Sequence, residues 1–88
     1  MAYKIVWTEK ANIERLRILQ FWIDNNKSRV FSLKLDKLFI SAIRELSKKP
    51  TIGRKTEFEN VRVKIVREYF IFYEIVRQDL VILSVWDG

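Results

Sequence analysis

The stretch from Arg62 to Ile75 constrains this chain most. Val61, Val63 and Ile65 alternate with Arg62 and Lys64, the period-two pattern of a strand with one face buried. Tyr69 to Val76 follows after only Arg67 and Glu68, and it is nearly all aromatic or aliphatic. That density predicts a central strand covered on both faces. Two strands joined by so short a link pair antiparallel. Arg77-Gln78-Asp79 supplies a second tight turn, and Leu80 to Trp86 a further strand.

The first half carries a different period. Tyr3 to Trp7 is β-rich and reads as a short strand. Thr8 stands as an N-cap with Glu9 in the first turn, where the helix dipole favours an anion. Ile13, Leu16, Leu19 and Ile23, widened by Phe21 and Trp22, predict the inward face of a helix ending at Asp24-Asn25-Asn26-Lys27. Ser28 caps a second helix, in which Phe31, Leu35, Leu38, Phe39, Ala42, Ile43 and Leu46 recur at helical spacing. Lys48 and Lys49 sit at its negative end and Pro50 stops it. So short a turn makes the two helices an antiparallel hairpin, with Trp22 and Phe31 near its closed end. Pro50 to Asn60 is polar and reads as one loop. The order is βααβββ. It predicts a single α+β domain over residues 1–88, with the helical hairpin packed on one face of a small, mostly antiparallel sheet.

A chain of 88 residues buries only about 60–65% of the surface its unfolded form exposes, so its stability margin is thin. It contains no cysteine and no histidine. Disulfides, zinc hydrolysis and serine–histidine catalysis are excluded, no metal or cofactor is expected, and any chemistry must run on Arg, Lys, Tyr, Asp or Glu. No apolar run approaches the roughly 20 residues of a membrane span. The opening Met1-Ala2-Tyr3-Lys4 is charged too early for a signal peptide. A soluble, cytoplasmic protein with no membrane partner is expected. The net charge of +6 is uneven, with eleven Lys/Arg against five Asp/Glu up to Lys49 and six of each beyond. A basic helical half attracts polyanions or an acidic protein by long-range steering, or simply keeps a helix surface solvated.

Three groups of residues could carry function. Arg62 and Lys64 share one side of their strand, expected to be the sheet face away from the helices. Arg54 from the loop and Arg67 from the turn would join them in a positive floor suited to phosphate. The same residues equally serve as solubilising strand positions paired with Glu57, Glu59, Glu68 or Glu74. Tyr69 is the aromatic expected to be exposed, its hydroxyl able to orient a phosphate or a nucleophile, whereas Phe70, Phe72, Tyr73 and Trp86 read as core. The hairpin cations Lys10, Arg15, Arg17, Lys27, Arg29, Lys34, Lys37 and Arg44 have no aromatic interleaving on their polar side. An acidic protein segment therefore suits them better than base edges, with Arg15, Trp22, Arg29 and Lys37 as expected contacts.

The chain resembles the RelE/ParE toxins of bacterial type II toxin–antitoxin systems. The resemblance rests on Trp7-Thr8-Glu9-Lys10-Ala11 before the first helix, Leu19 with Trp22-Ile23 before the turn, and Leu46-Ser47-Lys48-Lys49-Pro50-Thr51-Ile52-Gly53-Arg54. Val61-Arg62 with Tyr69-Phe70-Ile71-Phe72-Tyr73-Glu74-Ile75, and Ile82-Leu83-Ser84-Val85-Trp86, complete it. It implies a cognate antitoxin that wraps an acidic or amphipathic segment around helices and sheet, with promoter DNA bound only through that complex. It also implies one of two targets. ParE-like members poison DNA gyrase. RelE-like members cut messenger RNA on the ribosome, and in that case Arg67, Arg62, Lys64 and Tyr69 are the implied phosphate site, with Arg54 and Lys55 as substrate contacts. The last strand runs into Asp87-Gly88 where ribonuclease members place Arg, His or Tyr, which favours the gyrase-directed branch. Gyrase-directed members often continue with Gly and Arg residues, so a basic tail after Gly88 is the expected missing piece if this chain lacks toxicity.

Overall fold

The computed structural model describes residues 2–26 and 28–88. Met1 and Lys27 lie outside that set, and with Lys27 one of the expected hairpin cations. The elements are β1 (Lys4–Trp7), α1 (Glu9–Asn26), α2 (Arg29–Lys48), a 3-10 turn (Pro50–Ile52), β2 (Arg54–Lys55), β3 (Val61–Val66), β4 (Tyr69–Val76) and β5 (Asp79–Asp87). They form one five-stranded sheet in the order β1-β5-β4-β3-β2, antiparallel except where β1 runs parallel to β5. Both helices lie on one face, as expected. The segment from Pro50 to Asn60 is more than a loop. It turns once as a 3-10 helix and then lays two residues against β3, Arg54 opposite Val63 and Lys55 opposite Arg62. Two residues are too few to show any alternation.

Each end of the hairpin is fastened by its own chemistry. The Thr8 hydroxyl caps α1 by accepting from Ala11 N–H at 3.1 Å and donates to the Ile82 carbonyl at 2.9 Å, so the cap also ties α1 to β5. Ser28 caps α2 through Phe31 N–H. Asp36 of α2 grips Arg15 of α1 through two bonds of 2.7 and 2.8 Å, and the Ser32 hydroxyl donates to the Leu19 carbonyl, fixing the register of the pair. The core is Ala11, Leu35, Phe39, Ile43, Leu46, Val66, Tyr69, Ile71, Tyr73, Leu80, Ile82 and Val85. Ile13 and Leu16, expected inward, are 40% and 53% exposed. Leu19 and Trp22 turn inward as expected, and Ala11 and Ile18 join them there. This helix is apolar on two sides, and periodicity alone could not say which one the sheet would cover.

β5 outruns β1, which pairs only as far as Ile82. Leu83 is the extra residue of a bulge, since Tyr73 pairs with Ile82 and Phe72 with Ser84. The slip lets both Ile82 and Val85 face the core. Glu14 reaches down from α1 to the uncovered edge of β5, accepting from Val85 N–H at 3.1 Å and from the Ser84 hydroxyl at 2.8 Å. Lys10 bonds both Ser84 and Glu14. A carboxylate thus occupies the position a neighbouring strand would take, which blunts an otherwise open edge.

Candidate functional site: the open sheet face and the hairpin surface

Strand register decides which face each cation occupies. Residues directly opposite in an antiparallel pair point to the same side. Arg62 is opposite Tyr73, Lys64 opposite Ile71 and Val66 opposite Tyr69, and those partners are buried under the helices. Arg62 and Lys64 therefore lie on the helix side, not on the open face where alternation placed them. Their stems follow the sheet and their heads escape at its rim. Arg62 donates to the Gly53 carbonyl at 2.8 Å, and Lys64 stands 3.9 Å from Glu45 of α2. Alternation marks two sides of a strand without saying which is covered. Here the buried face was set by β4, whose Tyr69, Ile71 and Tyr73 carry the core.

The remaining expected site residues do not converge either. Arg67 sits exposed in the β3–β4 turn at φ 57°. Five residues of extended strand, about 16 Å, separate it from Arg62. Tyr69 is 3% exposed rather than available, and its hydroxyl accepts from Trp22 Nε1 at 2.6 Å. Burial pushes the Tyr69 phenol up, the Trp22 bond opposes this, and the charges of Glu68 and Asp87 add to it. It is thus neutral at physiological pH. Arg54 and Lys55 are exposed on the edge strand β2. Lys55 and Arg62 line a hollow of about 530 Å³ together with Tyr3, Phe58, Glu59 and Glu74.

The Pro-x-x-Gly-Arg segment is anchored to the sheet. The Tyr73 hydroxyl donates to the Pro50 carbonyl at 2.6 Å and accepts from Gly53 N–H at 3.0 Å, while Arg62 holds the Gly53 carbonyl. Burial pushes the Tyr73 phenol up, against smaller opposing effects of the Gly53 bond and the Arg62 charge. A Cβ on Gly53 would come within 2.1 Å of the Tyr73 oxygen. Glycine is required here by close approach.

With those cations turned away, the sheet face opposite the helices is mainly apolar, with Glu74 and Arg54 also on it. Val61, Val63 and Ile65 of β3 stand opposite Glu74, Phe72 and Phe70 of β4, and Trp86 of β5 stands opposite Phe70. The Phe72 ring is 4.9 Å from Trp86 and 6.5 Å from Phe70. Trp86 is 54% and Ile65 42% exposed. The strand Tyr69–Val76, expected to be covered on both faces, is covered on one. Trp86, read from the sequence as core, belongs to this open surface. The period-two spacing of Phe70 and Phe72, out of step with Tyr69, Ile71 and Tyr73, was the signal available.

On the hairpin, Arg15 is spent on Asp36 and lies 5.1 Å over the Trp7 ring. The Asp36 bonds are the largest cause raising its pKa, so this is a structural cation. Trp22 packs on Phe31 at 4.8 Å and donates to Tyr69, again an internal role. Arg29 and Lys37 are exposed.

Comparison with known proteins places this geometry. A chain of the chromosomal ParDE toxin–antitoxin system from P. aeruginosa superposes with a TM-score of 0.84 at 17% identity, covering 96% of this chain and 94% of that one. A chain of the RelBE2 toxin–antitoxin complex from Mycobacterium tuberculosis gives 0.69 at 17% identity over the whole of both. At these identities the likeness is one of fold. No curated protein matches by sequence. The family model for the ParE toxin of the type II toxin–antitoxin system parDE matches residues 5–88. With its helical hairpin on a five-stranded sheet, the chain belongs to the ParE toxin family of type II toxin–antitoxin systems.

Proposed function

We propose that this toxin inhibits growth by binding a protein target, DNA gyrase, through its open sheet face, and that an antitoxin neutralises it. The observation that carries this reading is the character of that face. Val61, Val63, Ile65, Phe70, Phe72 and Trp86 form a half-exposed apolar surface, with Arg54 at its β2 edge as the partner of Val63. Aromatic and aliphatic side chains with an arginine at the rim suit protein recognition. Phosphodiester cleavage needs charge stabilisation and an acid or base brought within hydrogen-bond reach of one atom. Arg62 and Tyr69 are held in internal hydrogen bonds, Lys64 stands 3.9 Å from Glu45 at the rim, and Arg67 stands alone at the strand end.

The test is pulse-labelling of DNA and protein synthesis after induction without antitoxin. DNA synthesis falls first, and Trp86→Glu relieves the inhibition while the purified variant keeps its thermal transition within a few degrees. Arg67→Ala remains inhibitory. A primary fall in protein synthesis that Arg67→Ala abolishes would establish messenger cleavage instead.

A further inference from the structure

The two residues of β2 are adjacent cations that the sheet sends to opposite faces. Lys55 stands opposite Arg62, which stands opposite Tyr73, so it lies on the helix side. Arg54 stands opposite Val63, which stands opposite Phe72, so it lies on the open face. Arg54 is exposed and has no ion-pair partner among the described residues. Its backbone, by contrast, is tied down on both sides. Ahead of it, the buried Tyr73 hydroxyl donates to the Pro50 carbonyl and accepts from Gly53 N–H. Arg62 donates to the carbonyls of Gly53 at 2.8 Å and Thr51 at 3.4 Å. Beyond Lys55, the Thr56 N–H and hydroxyl both donate to the Val61 carbonyl, at 3.3 and 2.9 Å. An edge strand of two residues frays without such ties. Here they fix the point from which the Arg54 side chain leaves the sheet.

We infer that Arg54 is a charged anchor for the protein target, gripping a carboxylate of that protein, and that Tyr73 is a positioning residue that aims it through Gly53. The inference rests on the target reading proposed above and adds the chemistry of the contact and the device that orients it. The planar guanidinium takes both oxygens of a carboxylate at once. An arginine beside an aromatic surface is among the residue types that dominate protein interfaces. A backbone fixed before binding lowers the ordering cost of the contact. Val63, Phe72 and Glu74, its neighbours on this face, offer a phosphate chain no second cation, so a protein carboxylate suits the position better than nucleic acid. Trp86 on β5 lies three strands from β2, about 14 Å at 4.7–4.9 Å per strand. The target therefore presents an acidic group at about that distance from the apolar pocket that receives the indole.

The test measures the concentration of purified full chain that halves the supercoiling of relaxed plasmid by DNA gyrase. Arg54→Ala raises it about tenfold and Arg54→Glu about thirtyfold. Arg54→Lys, which keeps the charge without the fork, falls between wild type and Arg54→Ala. The site is exposed, so the thermal midpoints of these variants stay close to wild type. Tyr73→Phe, assayed where it is fully folded, raises the concentration about fivefold but adds nothing in the Arg54→Ala background, where no anchor is left to aim. Inhibition by Arg54→Glu within about threefold of wild type overturns the inference. So does an equal loss from Lys55→Glu, which changes the net charge identically on the other face and makes the effect one of long-range steering. So does a Tyr73→Phe loss that recurs in full in the Arg54→Ala background, as a purely structural role requires. So does binding of plasmid alone that Arg54→Glu abolishes, which makes the ligand a phosphate. A wild-type chain that leaves gyrase uninhibited overturns the target reading itself. Potency lost in Trp86→Glu but kept in Arg54→Glu leaves that reading standing and removes only the anchor.

Discussion

Gly53→Ala tests whether the Pro-x-x-Gly-Arg segment is a structural clasp or a target contact. The backbone at Gly53, φ −66° and ψ 155°, is open to any residue, so the cost is steric. The new Cβ lies 2.1 Å from the Tyr73 oxygen, 2.7 Å from Cε1 and 2.8 Å from Cζ. Tyr73 is 1% exposed and cannot swing away. Overpacking of this kind costs about 1–3 kcal/mol. Displacing the hydroxyl loses its bonds to the Pro50 carbonyl and Gly53 N–H, at about 1 kcal/mol each. Reduced freedom of the unfolded chain returns about 0.4–1 kcal/mol. The net loss is about 3 kcal/mol, and at roughly 4–8 °C per kcal/mol for a domain of this size the midpoint falls by about 12–24 °C. Urea unfolding of Gly53→Ala, Tyr73→Phe and the double variant separates the parts. Tyr73→Phe alone costs about 1–3 kcal/mol by leaving both backbone groups unpaired. The double variant costs less than the sum by about 1 kcal/mol or more, because the closest clashing atom is gone. A Gly53→Ala chain within about 0.5 kcal/mol of wild type would refute the reasoning.

Two further outcomes follow from single contacts. Burial raises the Glu14 pKa, but the bonds from the Ser84 hydroxyl and Val85 N–H, with Lys10, outweigh it and leave the carboxyl below its ordinary 4.5. A depressed carboxylate stabilises the fold above its unfolded pKa and loses that contribution as pH falls through the folded one. Glu14→Gln therefore destabilises at pH 7 and converges on wild type as pH drops below about 4.5, read by thermal unfolding across pH. Arg67 is held at φ 57° in its turn with no hydrogen bond among the described side chains, so Arg67→Gly stabilises by roughly 0.5–1 kcal/mol in urea titration.

The hairpin, the three long strands and their order were legible because each is long enough to display its period. β2 was not, with two residues, and the parallel pairing of β1 to β5 has no local signature at all. The site was less legible for a specific reason. Arg62 and Lys64 alternate with valines as cleanly as any half-buried strand, yet they occupy the helix side because Tyr69, Ile71 and Tyr73 of the neighbouring strand set the buried face. Their positively charged heads then leave the core along the rim to Gly53 and Glu45. α1 hid a similar ambiguity. Its apolar residues surround the helix, and only the choice between Ala11 and Ile13 as inward residues frees Leu16 for the surface.

The two unpartnered surfaces lie on opposite sides of the molecule, one on the outer hairpin and one on the bare sheet. The smallest extent of the chain is 21 Å. A partner held on the hairpin side therefore does not shield Phe72 and Trp86 by its own bulk. An antitoxin that also covers the sheet needs a connecting segment spanning at least that thickness, roughly 6–7 extended residues at about 3.3–3.6 Å each. Such a linker makes the second contact intramolecular at roughly millimolar effective concentration. Weakening one contact then lowers total affinity without removing the other. The same coupling acts on stability. A partner present at a thousand times its dissociation constant adds about 4.1 kcal/mol, a large fraction of the roughly 5–15 kcal/mol of a small domain. The expected outcome is that free toxin, with both surfaces bare, is degraded sooner than the same chain co-expressed with its antitoxin, as a pulse-chase measurement reads.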